Sequence, residues 1–234
     1  MNPRREETIF DEYDGESPVA TELRRLYQNA RRRKTDNAAG DNRSFLLTSS
    51  HRGEGKSTLS SYLAVTVAQF PRKKVLLVDA DLRRPRVHKI FGVTNELGLK
   101  DCLAGGLDPM KVVKDTPLQN LHVITAGDHV PQPGRLFESD VLKEVIDKVS
   151  FYHDVVVIDS APVLSVSDTL FLCPAVDTVL VVVLAGVTPR AIFRRTVDVL
   201  TDSGARIGGV VMNNVSRVLP YHYDYRYYGE TRED

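Results

Sequence analysis

The segment Ser50-His51-Arg52-Gly53-Glu54-Gly55-Lys56-Ser57 lies between a strand-like apolar run and a helix-forming stretch. Glycine lets a backbone turn its N–H groups toward an anion, and a helix N-terminus adds favourable dipole charge, so this is a context in which a chain cradles phosphate. The spacing is that of a P-loop, with Ser50 standing where the first glycine is expected. On this reading Gly53, Glu54, Gly55, Lys56, Ser57 and Thr58 surround the phosphates of a nucleotide, Lys56 reaches the β- and γ-phosphates, and Ser57 holds Mg²⁺. A glycine-rich turn alone is commonly only a turn. Strand, loop, Gly55-Lys56-Ser57-Thr58 and helix in succession are more specific.

Carboxylates stand at two further strand ends. Val75-Leu76-Leu77-Val78 runs into Asp79-Ala80-Asp81-Leu82-Arg83, and two-residue alternation puts Asp79 and Asp81 on the same side. Val155-Val156-Val157-Ile158 runs into Asp159-Ser160-Ala161-Pro162. A carboxylate at the tip of a buried strand is costly unless it meets a cation, a helix N-terminus or hydrogen-bond donors. Each alone reads as a turn former or cap. Three of them, on strands that can flank the phosphate loop, point to a Mg-nucleotide site.

The frame that must position these residues is legible as alternation. Strands are expected at 44–48, 74–79, 121–125, 154–159, 178–184 and 207–212, with helices at 56–70, 136–149 and 189–202. Strands apolar at nearly every residue are those covered by helices on both faces, so the expected fold is α/β, a doubly wound, mainly parallel sheet with ligands at the C-terminal ends of its strands. Residues 1–16 show no apolar period and read as a mobile acidic leader. Residues 17–34 read as a helix outside the core, started by Ser17-Pro18 and closed by Arg31, Arg32, Arg33 and Lys34. A short linker follows at 35–42. One domain, 17–220, is expected, with residues 221–234 as a tyrosine-rich tail.

Composition narrows the function classes. Hydrophobic residues make up 42% and charged residues 26%, an ordinary globular balance, and the formal net charge of +0 argues against a non-specific nucleic-acid binder. Cys102 and Cys173 match neither a metal nor a redox spacing and read as small core residues. With no apolar stretch of bilayer-spanning length, a cytoplasmic protein is expected, whose membrane role would come through a partner.

The three motifs, in order, resemble those of the bacterial tyrosine kinases, or BY-kinases, of capsule and exopolysaccharide synthesis: a P-loop, apolar residues then Asp-x-Asp-x-Arg, and apolar residues then Asp-x-x-Pro. The likeness continues through Arg84-Pro85 and His88-Lys89-Ile90-Phe91, and the Asp79-Ala80-Asp81-Leu82-Arg83 segment is its most discriminating part. The resemblance implies ATP and Mg²⁺ as cofactors, Asp159 holding the metal with Ser57, and Asp81 or Asp79 accepting the tyrosine proton or assisting at the metal. An amide at Asn213 would meet the adenine, although Asn213 and Asn214 also read as a simple turn.

The tail holds Tyr221, Tyr223, Tyr225, Tyr227 and Tyr228, five of the nine tyrosines. A strand edge or a sticky peptide would account for two or three. Five resemble the family's tyrosine cluster, autophosphorylated in trans. The family's Glu-x-x-Arg-x-x-Arg helix, which bridges subunits in a ring, appears here as Glu22, Arg25 and Gln28, and Gln28 lacks the bidentate ion pair of an arginine. The resemblance also implies a separate transmembrane activator of the polysaccharide co-polymerase type, a tyrosine phosphatase, and attachment to the inner face of the membrane through the activator. Two other readings share the scaffold: a septum- or plasmid-positioning switch ATPase, which usually carries a second lysine where this chain has His51, and a nucleotide-binding pseudo-kinase scaffold of a polysaccharide export system.

Overall fold

The computed structural model describes residues 7–33, 40–137 and 141–215. Within them lies a seven-stranded sheet of β1 (Ser44–Ser49), β2 (Val75–Asp79), β3 (Lys114–Asp115), β4 (Leu121–Ile124), β5 (Val155–Asp159), β6 (Thr178–Leu184) and β7 (Ile207–Asn213), ordered β3-β4-β2-β5-β1-β6-β7. All pairings are parallel except β3 against β4. β1, β2 and β5 are buried at every position, the two-sided burial that their unbroken apolar runs require. Along β5, Val155 and Val157 enter one core layer and Val156 and Ile158 the other.

Helices among the described residues cover the two faces. α1 (Ile9–Glu12), α2 (Pro18–Arg32), α3 (Lys56–Ala68) and α4 (Val87–Phe91) pack on the Val155 side. α5 (Leu99–Gly105), α6 (Gly134–Phe137), α7 (Val141–Tyr152), α8 (Asp168–Leu172) and α9 (Arg190–Asp202) pack on the other. The chain runs from β1 through α3 to β2, then returns to lay β5 between them and β6 beyond β1. This reversal of direction opens a crevice at the C-terminal end of β1, where the phosphate loop leaves the sheet. None of the described helices is long and apolar enough to cross a membrane. Both cysteines are buried and unpaired, and burial pushes each thiol up to about 11.

Several expectations are corrected. Residues 7–16 of the expected leader are docked on the domain: Ile9 is buried, Phe10 meets Phe91 edge-to-face at 5.6 Å, and Tyr13 shares a 2.9 Å hydroxyl contact with Thr66. The apolar signal is one turn long, too short to register as a period. α2 does not stand outside the core; Ala20, Leu23, Tyr27 and Ala30 are buried against α3 and the sheet, each large side chain contributing roughly 1.5–3 kcal/mol. Ser17 caps it by accepting from Ala20 N at 3.2 Å. The far end of the expected linker is anchored as well, since buried Asn42 donates to Ala30 O (2.9 Å) and Arg33 O (3.1 Å). The short elements α4, α5, α8 and β3 carry too few regular residues for a period and are absent from the expected frame.

Candidate active site

The phosphate loop takes the backbone path its glycines permit, with φ 83° at Gly53 and 90° at Gly55. Gly55 caps α3, so Lys56 is the first helical residue and the free N–H groups of the first turn face the crevice. The loop is braced from the β6–α9–β7 side. Asn213 Nδ2 donates to Glu54 O at 3.0 Å, Thr196 Oγ1 donates to Ser50 Oγ at 2.8 Å, and the Thr188 hydroxyl meets Glu54 Oε1. The other Glu54 oxygen accepts from His51 N at 2.8 Å.

These contacts revise what the motif residues do. Glu54 lies buried with its carboxylate turned into the brace, so its backbone, not its side chain, lines the loop. Ser50, in place of glycine, supplies the hydroxyl on which Thr196 is anchored. The Asn213 amide holds the loop, its oxygen accepting from Asn214 N at 2.9 Å. Thr188 and Thr196 were missed in the sequence; a hydroxyl partner for a serine 146 residues away leaves no local signal.

Gly55 therefore has two constraints. Besides its positive φ, a Cβ there would lie 2.1 Å from Asn213 Nδ2. Gly55→Ala is expected to weaken nucleotide binding by roughly tenfold or more, since strain and a broken brace each cost about 1–3 kcal/mol. Titration with a fluorescent ATP analogue checks this; unchanged affinity in a folded variant would show that the loop does not hold the phosphates.

The carboxylates divide by environment. Asp79 is wholly enclosed: Oδ1 accepts from Asp81 N (3.2 Å), and Oδ2 from Arg86 N (3.1 Å) and Val87 N (3.0 Å). It ties the loop after β2 to the start of α4, and burial, then the neighbouring Asp159 charge, push its pKa well above the carboxylate range. Asp81 is not turned the same way. Its Oδ1 accepts from Arg84 N at 3.1 Å, while Oδ2 lies 3.8 Å from Lys56 Nζ in a pair whose side chains are 8% and 9% exposed.

Asp159 ends β5 beside β1 and is fully buried, yet neither carboxylate oxygen completes a hydrogen bond of ordinary geometry. Burial pushes its pKa up to about 7, against the lowering effects of Lys56 and of the Ser57 and Ser60 hydroxyls facing it. A buried carboxylate with two orphaned oxygens is an incomplete site, and a cation completes it. Among the described residues no group of three or more His, Cys, Asp or Glu side chains could hold a metal ion. The donors at hand are oxygens only: Asp159, the Ser57 hydroxyl and Asp81. They suit Mg²⁺, which takes one or two carboxylates and relies on nucleotide phosphates and water for the rest.

Arg83, the last residue of its motif, makes a two-pronged pair with Asp168 at 2.7 and 3.1 Å, and Asp168 is 1% exposed. This clamp joins the loop after β2 to α8. Glu22 and Arg25 pair with each other within α2 at 2.6 Å, both side chains exposed. The five tail tyrosines lie outside the described residues.

Taken together, backbone donors at a helix N-terminus, a buried lysine, an orphaned carboxylate and an acid beside the lysine can bind Mg-nucleotide and stabilise a phosphoryl group in transit. Comparison with known proteins supports a P-loop nucleotide-binding chain. The family model ParA, described as "NUBPL iron-transfer P-loop NTPase", matches residues 42–230. The chain is 35% identical over 187 residues to the tyrosine-protein kinase YwqD of Bacillus subtilis (strain 168), covering 80% of this chain and 78% of that one. To the putative tyrosine-protein kinase CapB of Staphylococcus aureus it is 32% identical over 196 residues, covering 83% and 84%. Among solved structures, the chimerical protein CapA2B2 superposes with a TM-score of 0.79 at 28% identity, over 87% of this chain and 88% of that one.

Proposed function

The chain belongs to the bacterial tyrosine kinase family, and from that premise we propose that it is an ATP- and Mg²⁺-dependent protein-tyrosine autokinase whose first substrate is its own C-terminal tyrosine cluster, phosphorylated in trans. The observation that carries this reading is the meeting of Lys56, Asp81 and the orphaned Asp159 at the mouth of the phosphate loop.

The loop backbone from Gly53 to Thr58 orients the phosphates, and Lys56 neutralises charge on the β- and γ-oxygens. Ser57 and Asp159, with Asp81, would hold Mg²⁺, which supplies further neutralisation of the transferring phosphoryl group. Asp81 is the better candidate base than Asp79, because its Oδ2 faces Lys56 while every Asp79 oxygen is already committed to backbone donors. The phenol proton passes to Asp81, the phenol oxygen bonds to the γ-phosphorus, and the bond to the β–γ bridging oxygen breaks, leaving ADP. A phenol, with a pKa near 10, gives up its proton readily enough for a carboxylate to suffice.

The proposal extends to regulation of capsule or exopolysaccharide synthesis or export. The chain acts at the inner face of the membrane with a separate transmembrane activator of the co-polymerase type, and a tyrosine phosphatase resets the tail. Asn213 remains the candidate for the adenine side, its amide standing at the end of β7 beside the loop it braces.

The deciding experiment replaces Tyr221, Tyr223, Tyr225, Tyr227 and Tyr228 by Phe. Most phosphotyrosine should disappear with nucleotide binding unchanged, since Phe keeps the ring and loses only the acceptor oxygen. A catalytically dead chain with an intact tail should still be labelled when mixed with an active one. ATP hydrolysis without label on either chain, activator fragment included, would instead make the chain a switch ATPase.

Assembly is proposed through α2, weakened by Gln28. Gln28→Arg is expected to raise the oligomeric fraction in light scattering at matched ionic strength. A variant that stays monomeric at every concentration rules that helix out as the interface.

A further inference from the structure

α9 turns one face to the phosphate loop and another to solvent. Thr196 and Leu200 are buried, whereas Arg190, Arg194, Arg195 and Asp198 are exposed and, with Ala191, line a shallow groove of ≈ 370 Å³. Three guanidinium groups against one carboxylate make this groove cationic, and none of the three arginines forms an ion pair with a described carboxylate. The nucleotide reading does not use them.

On the same side of the sheet as α9, the edge strand β7 leaves apolar side chains uncovered. Sheet register pairs Val210 with Val181 and Met212 with Val183, and these β6 residues belong to the core layer that α9 covers. Val210 and Met212 therefore point to the α9 side of the sheet, but on the edge strand they remain 46% and 51% exposed. Val187, in the turn that leads into α9, is 64% exposed. A cationic helix face, together with aliphatic side chains left exposed on its side of the sheet, suits a ligand that alternates strong negative charge with flat apolar rings.

We propose that this surface is a docking site for the C-terminal tail of the same chain once its tyrosines are phosphorylated, an inference that rests on the kinase reading. Each phosphotyrosine adds roughly −1.5 to −2 charges and three acceptor oxygens, which the arginines bind in two-pronged fashion while the rings lie on Val187, Val210 and Met212. The path is short. α9 runs antiparallel to β7, and Ala185 N donates to Asn213 O at 2.9 Å, so the described chain ends at Val215 beside the turn that begins α9. α9 is about 20 Å long, a span that six extended residues cover, so the tail beyond residue 215 reaches the whole stripe. Docked there, a phosphorylated tail is withdrawn from the phosphate loop, and the crevice is free for a fresh substrate tyrosine.

The test uses a synthetic peptide of residues 216–234, labelled with fluorescein, with phosphotyrosine at 221, 223 and 225 or with none. It is titrated against phosphatase-treated full chain and followed by anisotropy. The phosphorylated peptide should bind about tenfold tighter or better, weaken steeply with salt, and lose that advantage on the variant Arg190→Gln/Arg194→Gln/Arg195→Gln. Unchanged melting and nucleotide affinity establish that the variant is folded; if it is not, Arg194→Gln and Arg195→Gln singly should each remove part of the advantage. Equal affinity for the two peptides, or an advantage that survives loss of the arginines, overturns the proposal, as does arginine-dependent capture by anionic vesicles without discrimination between peptides. The phosphates are installed by synthesis, so the result is independent of whether the chain itself makes phosphotyrosine from ATP. Peptide discrimination with no label from ATP removes the kinase reading and leaves the docking site. Label with no discrimination does the reverse.

Discussion

Lys56→Met is expected to abolish autophosphorylation while the fold survives. Lys56 opens α3 at the crevice, and its ammonium sits 3.8 Å from Asp81 with almost no solvent exposure. In so enclosed a place a positive charge acts on the phosphates with little screening, and losing one such group typically costs on the order of 10²- to 10³-fold or more in phosphoryl transfer. Methionine keeps the length and apolar stem, so packing around the first turn of α3 changes little. The nearby carboxylates lose a neutralising partner, and Asp159, already pushed up to about 7, responds by holding its proton more tightly. The check is radiolabel incorporation from ATP alongside a thermal melt. A folded variant that labels near normally would show that the phosphates do not rest on Lys56.

Asp159→Asn is expected to trade activity for stability. In the metal-free chain the ionised carboxylate is buried without a completed hydrogen bond, so its folded pKa is raised above the ordinary value. For a raised acid the sign runs against the usual carboxylate. Between about pH 4 and pH 7 the folded state holds the proton and the unfolded state does not, so stability falls as pH rises through that window and levels off above it. Near pH 5 the variant should melt close to the parent. At pH 8, in chelator, it should melt several degrees higher, because the amide carries no buried charge. Asp79, raised by burial and by Asp159, keeps part of the slope in both. Phosphoryl transfer should collapse, the amide being a poor ligand for Mg²⁺ and carrying no charge to offset the metal. Melts across pH 5–8 with and without Mg-nucleotide measure both arms. A variant less stable than the parent at pH 8 would mean that Asp159 is satisfied within the protein and is not a waiting metal ligand.

Both variants address residues that local pattern was able to find. Lys56, Ser57, Asp79, Asp81 and Asp159 stand where apolar strands give way to loops or to the start of a helix. Burial on two faces forces those strands to be apolar throughout, which makes the junctions visible. Ile9 and α2 were misjudged for the converse reason. A single turn with one buried residue has no period, and an amphipathic helix with many arginines reads as solvated until the α3 surface that receives Leu23 and Tyr27 is known.

The sequence alone determined which residue types stand at the strand ends: a glycine turn leading into a lysine and a serine, carboxylates closing β2 and β5, and the strand–helix alternation that sets a parallel sheet, because each of these depends on neighbours within a few residues. Only the tertiary structure decided how the work is shared. It committed Asp79 to the backbone of Arg86 and Val87 and turned Asp81 to Lys56; it set Thr188, Thr196 and Asn213 against the phosphate loop and left Asp159 without a completed hydrogen bond. Those assignments depend on contacts between segments as much as 159 residues apart, brought together only when the sheet places β5, β1 and β6 side by side.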